Sequence, residues 1–254
     1  PSTLHGDHMV LPGLRQHTKL ISQLGSVGTW TKVLQLLSKM RSLRLEPNVI
    51  TYNSSIHACG QSSMWQQSLA LLRRMEKAEL QPDIISYNTT ISSCEIAACQ
   101  DIVLQLMAEM TIISLEADLV TYNASISSCE KVSDWERALN QLATMKSRWV
   151  QADVVTYGAS ISACEKGSQW MAALQLLGDM AGRRLQSNVV VQSAAISACA
   201  KCSKWQLALW ILKQMEAQDV VGDVIAYSAT INACKKGAAW EEALELLREM
   251  TLAL

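Results

Sequence analysis

Apolar residues along this chain follow a helical period. In the stretch 154–188, Tyr157, Ile161 and Cys164 fall at i, i+4 and i+7. Trp170, Ala173, Leu174, Leu177 and Met180 then fall at i, i+3, i+4, i+7 and i+10. Each set draws one apolar stripe along a helix. Lys166-Gly167-Ser168 breaks the pattern between them, so the stretch predicts two antiparallel helices. Thr156, directly before the first stripe, is the expected N-cap. No strand-type alternation recurs.

The same pair returns every 35 residues. Trp occupies 30, 65, 135, 170, 205 and 240, with Gln100 at the one gap. Met occupies 40, 75, 110, 145, 180, 215 and 250, and Cys 59, 94, 129, 164, 199 and 234. Three residue types on one period mark an internal repeat. The frames run 14–48, 49–83, 84–118, 119–153, 154–188, 189–223 and 224–254, the last being four residues short. The first keeps the period but lacks the aromatic and Cys of its first helix; residues 1–13 lie outside the frames and read as a flexible leader. Pro47 and Pro82 bar helix continuation between pairs.

One such pair cannot bury both its apolar faces, and stacking on the next pair does so. The expected fold is all-α: a solenoid of tandem antiparallel helix pairs. Small residues such as Ser160, Ala163, Ser197 and Ala198 let first helices approach. The Trp residues and Leu-Leu pairs are expected to fill the space behind them, at about 2–3 kcal/mol per buried Trp.

Composition narrows the function. The chain has 254 residues, 49% of them apolar, with eight Trp, five Tyr and no Phe. A net charge of −1 excludes binding to nucleic acid or membrane by bulk charge and leaves a local basic stripe open. No run of 18 apolar residues is present, so no bilayer-spanning helix is expected. Without an initiator Met or a secretory signal, the chain reads as a piece of a longer protein or a processed form.

Six of the eight Cys lie on the grid and read as buried free thiols, about 10 Å from their neighbours and too far apart to bridge. That suits a reducing compartment. Cys199 and Cys202 have redox spacing, but no βαβ pattern surrounds them. His5 and His8 fall in the leader, His57 is isolated, and Glu241-Glu242 reads as a solvated helix start. No glycine loop suits a phosphate. The expectation is no catalytic residues, no metal, no cofactor and no small-molecule substrate. Trp149 and Trp210 are off the grid. Trp210 falls on the polar side of its helix, either in an exposed contact patch or packed on a neighbouring loop.

VITYNSSIHACG, IISYNTTISSCE and LVTYNASISSCE open successive frames, Gln81-Pro82-Asp83 closes one, and 224–250 carries Ala-Leu-x-Leu-Leu-x-x-Met. These features resemble the pentatricopeptide repeat, strongly over 49–254 and weakly over 14–48. The tetratricopeptide repeat has 34 residues and another aromatic pattern.

The resemblance implies a right-handed superhelical solenoid of tandem antiparallel helix pairs, and single-stranded RNA binding with one base per repeat, each read by two or three side chains. It assigns base reading to the residue after the Tyr together with the last residue of the frame. Those pairs are Thr18 with Asn48, Asn53 with Asp83, Asn88 with Asp118, Asn123 with Asp153, Gly158 with Asn188 and Ser193 with Asp223, with Ser228 left without a partner in its short frame. By the family's code the implied core is 5′-A-U-U-U-N-G. The resemblance also places Ile50, Ile85, Val120, Val155, Val190 and Ile225 between adjacent bases; core packing is the competing reading for these residues.

Lys131, Lys166, Lys201 and Lys236 share the period, at a position that faces phosphates in the family. Glu95, Glu130 and Glu165 lie beside that line and oppose it, and a solvated helix end is the competing reading. The expectation is modest affinity with about four phosphate contacts. The implied setting is RNA processing, stability, editing or translation in a chloroplast or mitochondrion. Two other readings stay open: a protein-binding scaffold of the tetratricopeptide kind, and a guide for a catalytic domain outside this sequence. Protein partners therefore remain in play, membrane does not.

Overall fold

The computed structural model describes residues 12–26, 29–217 and 220–253, which hold fourteen α-helices and no strand. In chain order they are α1 Pro12–Ser26, α2 Trp30–Ser42, α3 Val49–Gln61, α4 Trp65–Lys77, α5 Ile84–Ile96, α6 Gln100–Ile112 and α7 Leu119–Lys131. There follow α8 Trp135–Ser147, α9 Val154–Lys166, α10 Trp170–Gly182, α11 Val189–Lys201, α12 Trp205–Ala217, α13 Val224–Lys236 and α14 Trp240–Ala253. Helix α1 starts two residues before its frame, with Pro12 at the first helical position, where no N–H is needed. The rest of the leader, with His5 and His8, lies outside the described residues.

The chain forms two compact units, Pro1–Ala117 and Asp118–Leu254, divided one residue before a frame boundary, so that Asp118 goes with the helix it caps. In the first, α1, α3 and α5 stack in order, each packed against its own second helix. In the second, α7, α9, α11 and α13 do the same. The close approach is visible at Gly60, where a Cβ would stand 3.3 Å from the Ser93 Cβ, and at Gly25, where it would stand 3.1 Å from that of Ala58.

The N-cap of each later first helix is the last residue of the preceding frame, not the Thr before the Tyr. Asp153 accepts from the Thr156 N–H at 2.8 Å, and the Thr156 hydroxyl in turn accepts from the Asp153 N–H at 3.2 Å. Thr156 is therefore the third helical residue of a reciprocal capping box, not the cap. Asp83 and Asp118 form the same reciprocal box, whereas Asn48, Asn188 and Asp223 cap their helices by accepting the backbone N–H of the third helical residue.

The periodic Met and Cys have a backbone role as well as an apolar one. Helix α2 ends with the Leu45 N–H on the Met40 carbonyl at 2.9 Å and the Arg44 N–H on that of Arg41 at 3.0 Å, with Arg44 at φ 56°. This is a Schellman stop. Met75, Met110, Met145, Met180 and Met215 accept the equivalent bond, and Cys59, Cys94, Cys129, Cys164, Cys199 and Cys234 accept it at the ends of first helices.

Tyr52, Tyr87, Tyr122, Tyr157, Ile56, Ile91, Ile126 and Ile161 form the core with these Met and Cys residues. The cysteines are free thiols, and burial pushes Cys59, Cys164 and Cys199 up to about 11 and Cys94 to about 12. The Trp residues depart from expectation: they are half-buried rather than central, and Trp240 is exposed. The rings of Trp135 and Trp205 lie over the end of the next first helix. A Cβ at Gly167 would overlap the Trp135 ring, and one at Gly237 the Trp205 ring.

Candidate functional site

Each capping residue has a fixed side chain, and the structure uses that rigidity twice. Asp83 Oδ1 accepts from the Ser86 N–H at 2.8 Å, and the same oxygen accepts from Asn53 Nδ2 at 3.1 Å. Asp153 Oδ1 likewise takes the Thr156 N–H and Asn123 Nδ2, the latter at 3.3 Å. The Ser193 hydroxyl donates to Asp223 Oδ1 at 2.9 Å. Three of the pairs named from sequence are thus joined directly.

The others differ. Thr18 and Asn48 do not meet each other; both hydrogen-bond the Thr51 hydroxyl, at 2.9 Å each. Gly158 offers no side chain, and Asn188 is occupied as the cap of α11. Asn88 is half-buried on α5 in the first unit and Asp118 caps α7 in the second. Ser228 is exposed on α13, whereas Ser193 is 4% exposed. Two contributors were not named from sequence: the hydroxyls of Ser86 and Thr156, each 2.6 Å from the Oδ1 of the neighbouring Asn. The Asp-x-x-Ser/Thr spacing of a capping box marks them.

Partial burial works to raise the Asp83 carboxyl. Hydrogen bonds from Ser86 and Asn53 outweigh it and hold the group below the ordinary carboxylate range. Asp153 is depressed in the same way by Thr156 and Asn123. A depressed carboxyl contributes stability above its unfolded pKa, about 3.9. The contribution is lost as pH falls through the lower folded value. Thermal melts should therefore be insensitive to these groups above pH ~5 and fall below pH ~4. Asp83→Asn with Asp153→Asn should flatten that acid fall; an unchanged acid profile would contradict the assignment.

Ile50, Ile85, Val120, Val155, Val190 and Ile225 are between 53% and 68% exposed. That excludes the core-packing reading. A β-branched residue stands open at the second position of each first helix from α3 on, three residues before the reading position.

Two members of the lysine line are paired. Lys166 Nζ lies 2.7 Å from Glu130 Oε1, and Lys201 Nζ lies 2.7 Å from Glu165 Oε1. Lys236 has Ala200 where the others have Glu, and it donates to the Ala200 carbonyl at 3.3 Å. Glu130 and Glu165, expected to oppose the line, pair with it instead. Trp149, at φ 61°, is 87% exposed. Trp210 lines a groove of about 780 Å³ with Leu174, Leu177, Leu185 and Val220. Among the described residues no group of three potential ligands could hold a metal ion, and no helix is long and apolar enough to cross a membrane.

The fold and this row of amides define a class, an α-solenoid of tandem helix pairs presenting polar side chains from its first helices. A family model described as pentatricopeptide repeat domain matches residues 11–62, 105–166 and 175–237. Models of the PPR repeat family and the PPR repeat match 47–95 and 225–252. The chain belongs to the pentatricopeptide repeat family.

No curated protein matches significantly. Among solved structures, the pentatricopeptide repeat protein PPR10 from maize is 20% identical with a TM-score of 0.63, over 94% of this chain and 39% of that one. PPR10 in complex with an 18-nt psaJ RNA element is 20% identical with a TM-score of 0.55, over 94% and 44%. The PPR domain of Arabidopsis thaliana protein-only RNase P 1, in complex with tRNA, is 12% identical with a TM-score of 0.63, over 71% and 95%. These likenesses show the fold, an all-α superhelical repeat array, and this chain spans about two fifths of the length of PPR10.

Proposed function

We propose that this chain binds single-stranded RNA along its first helices, one base per repeat, and that it serves RNA processing, stability, editing or translation in a chloroplast or mitochondrion. It acts by binding, without a catalytic step of its own. The carrying observation is the open Val/Ile row beside amide–carboxylate pairs that are already hydrogen-bonded to each other. A base inserted between successive β-branched side chains shields apolar surface on both its faces. Its edge then meets the remaining N–H and lone pair of the Asn amide and the second carboxylate oxygen. Family members solved with RNA support the reading. The proposed core is 5′-A-U-U-U-N-G, from pairing Thr18 with Asn48 through to Ser193 with Asp223, with Gly158 permissive. Anisotropy titration of an oligonucleotide carrying that core should give tighter binding than the same oligonucleotide with its U-run replaced by C. Equal affinities would contradict the proposal.

Lys131, Lys166, Lys201 and Lys236 are the proposed phosphate contacts. Exposed ion pairs are worth only about 0–1 kcal/mol, so Lys166 and Lys201 can exchange Glu130 and Glu165 for phosphate. Log affinity against log salt should fall with a slope of roughly −3, about −0.7 per contact. Glu130→Gln with Glu165→Gln should tighten binding severalfold at low salt. A slope near zero in both proteins would contradict the stripe. Protein binding has one specific feature in its favour, the apolar groove along Trp210; tight peptide capture with flat RNA affinity would favour that reading.

A further inference from the structure

We infer that the buried hydroxyl at the third position of a first helix orients the reading amide of the preceding repeat, and so decides which repeats can discriminate uracil. This rests on the RNA reading above. Ser86 and Thr156 are wholly buried. Each hydroxyl oxygen sits 2.6 Å from the Oδ1 of Asn53 or Asn123 and 2.8 Å from the Oδ1 of Asp83 or Asp153. Two oxygens at 2.6 Å need a proton between them. Neither the amide oxygen nor the carboxylate carries one, so the hydroxyl's single proton is shared between them, with the amide oxygen the nearer acceptor. The carboxylate meanwhile takes an N–H from the other end of the amide. Gripped at both ends, the amide plane is fixed. A carboxylate alone would leave its oxygen end free to swing.

The sequence follows the same rule. Asn53, Asn88 and Asn123 are followed 33 residues later by Ser86, Thr121 and Thr156, whereas Gly158 and Ser193 are followed by Val191 and Ala226. Helix formation alone does not require the hydroxyl, because Asn188 and Asp223 cap α11 and α13 without it. Ser193 reaches Asp223 with its own hydroxyl and has no amide oxygen to hold. At Gly158 a Cβ would stand 3.3 Å from Val191 Cγ2, so Val191 both removes the donor and crowds the place of an amide.

Two sets of variants test this. Thr156→Val keeps the shape and deletes the donor, and Thr156→Ser restores it. Thr156→Val should lower discrimination of uracil over cytosine about 10-fold at the nucleotide facing the fourth repeat. Discrimination at the second repeat should be unchanged, and Thr156→Ser should recover the loss. A purely structural role would lower the melting temperature and the overall affinity without moving that ratio. In the fifth repeat, Gly158→Asn with Asn188→Asp should gain little uracil preference until Val191→Thr is added. An unaltered ratio in Thr156→Val, or a double variant as selective as the triple, would overturn the inference. If the wild-type chain discriminates no base, the RNA reading itself fails. The side-chain amide protons of Asn123, followed by NMR without RNA, then decide the positioning alone: unchanged shifts and exchange in Thr156→Val would overturn it, and loss of protection would support it.

Discussion

Tyr157→Ala should destabilise the chain by about 3–5 kcal/mol, the usual cost of deleting a buried aromatic ring. Tyr157 is fully buried on α9, and the Lys146 ammonium lies over its ring at 5.3 Å from the centroid. In a solenoid each repeat is stabilised by its neighbours, so the cavity weakens the helix pairs on both sides. The same position carries an opposite expectation. The Tyr157 hydroxyl is buried and has no hydrogen-bond partner among the described residues. Tyr157→Phe should therefore be neutral or stabilising by up to about 1 kcal/mol, since it removes an unsatisfied polar group. Tyr52 differs, because its hydroxyl accepts from Arg41 at 3.2 Å, and Tyr52→Phe should cost about 1 kcal/mol. Urea midpoints of the three variants check this; equal losses in both Phe variants would contradict it.

Changing Ile50, Ile85, Val120, Val155, Val190 and Ile225 together to Ser should leave the fold in place and weaken RNA binding about 100-fold. These side chains are more than half exposed, so little apolar burial is lost within the protein. If each base covers enough hydrocarbon to contribute about 0.5 kcal/mol, six contacts give about 3 kcal/mol. That corresponds to roughly two decades in affinity. Helical circular dichroism and oligonucleotide titration separate the outcomes. Loss of helicity would return these residues to a packing role, and undiminished binding would remove them from the interface.

The architecture was legible because the repeat imposes itself on residues with local duties. Met40 and its equivalents, and Cys59 and its equivalents, sit where a helix must stop, so their spacing marks both helix ends. The proposed reading pairs were legible only through the family likeness. What the sequence concealed depends on the offset between stacked helices. Asp153 closes one frame yet caps the helix of the next, and a search for a cap within the frame lands on Thr156 instead. The Glu130–Lys166 ion pair joins residues 36 apart, one step off the period, so a carboxylate that reads from sequence as opposing the lysine line is in fact the partner of the next lysine along it. The Trp residues have core composition but rim positions. Their burial depends on how the next helix end meets them, as at Gly167 and Gly237.

Unbiased selection of short RNAs against the purified chain tests the central claim most directly. The expected result is enrichment of a uracil run, weakened by Asn88→Ala and moved away from uracil at one position by Asn88→Thr. A pool without enrichment, or one identical for the wild-type and Asn88→Thr proteins, would contradict the account.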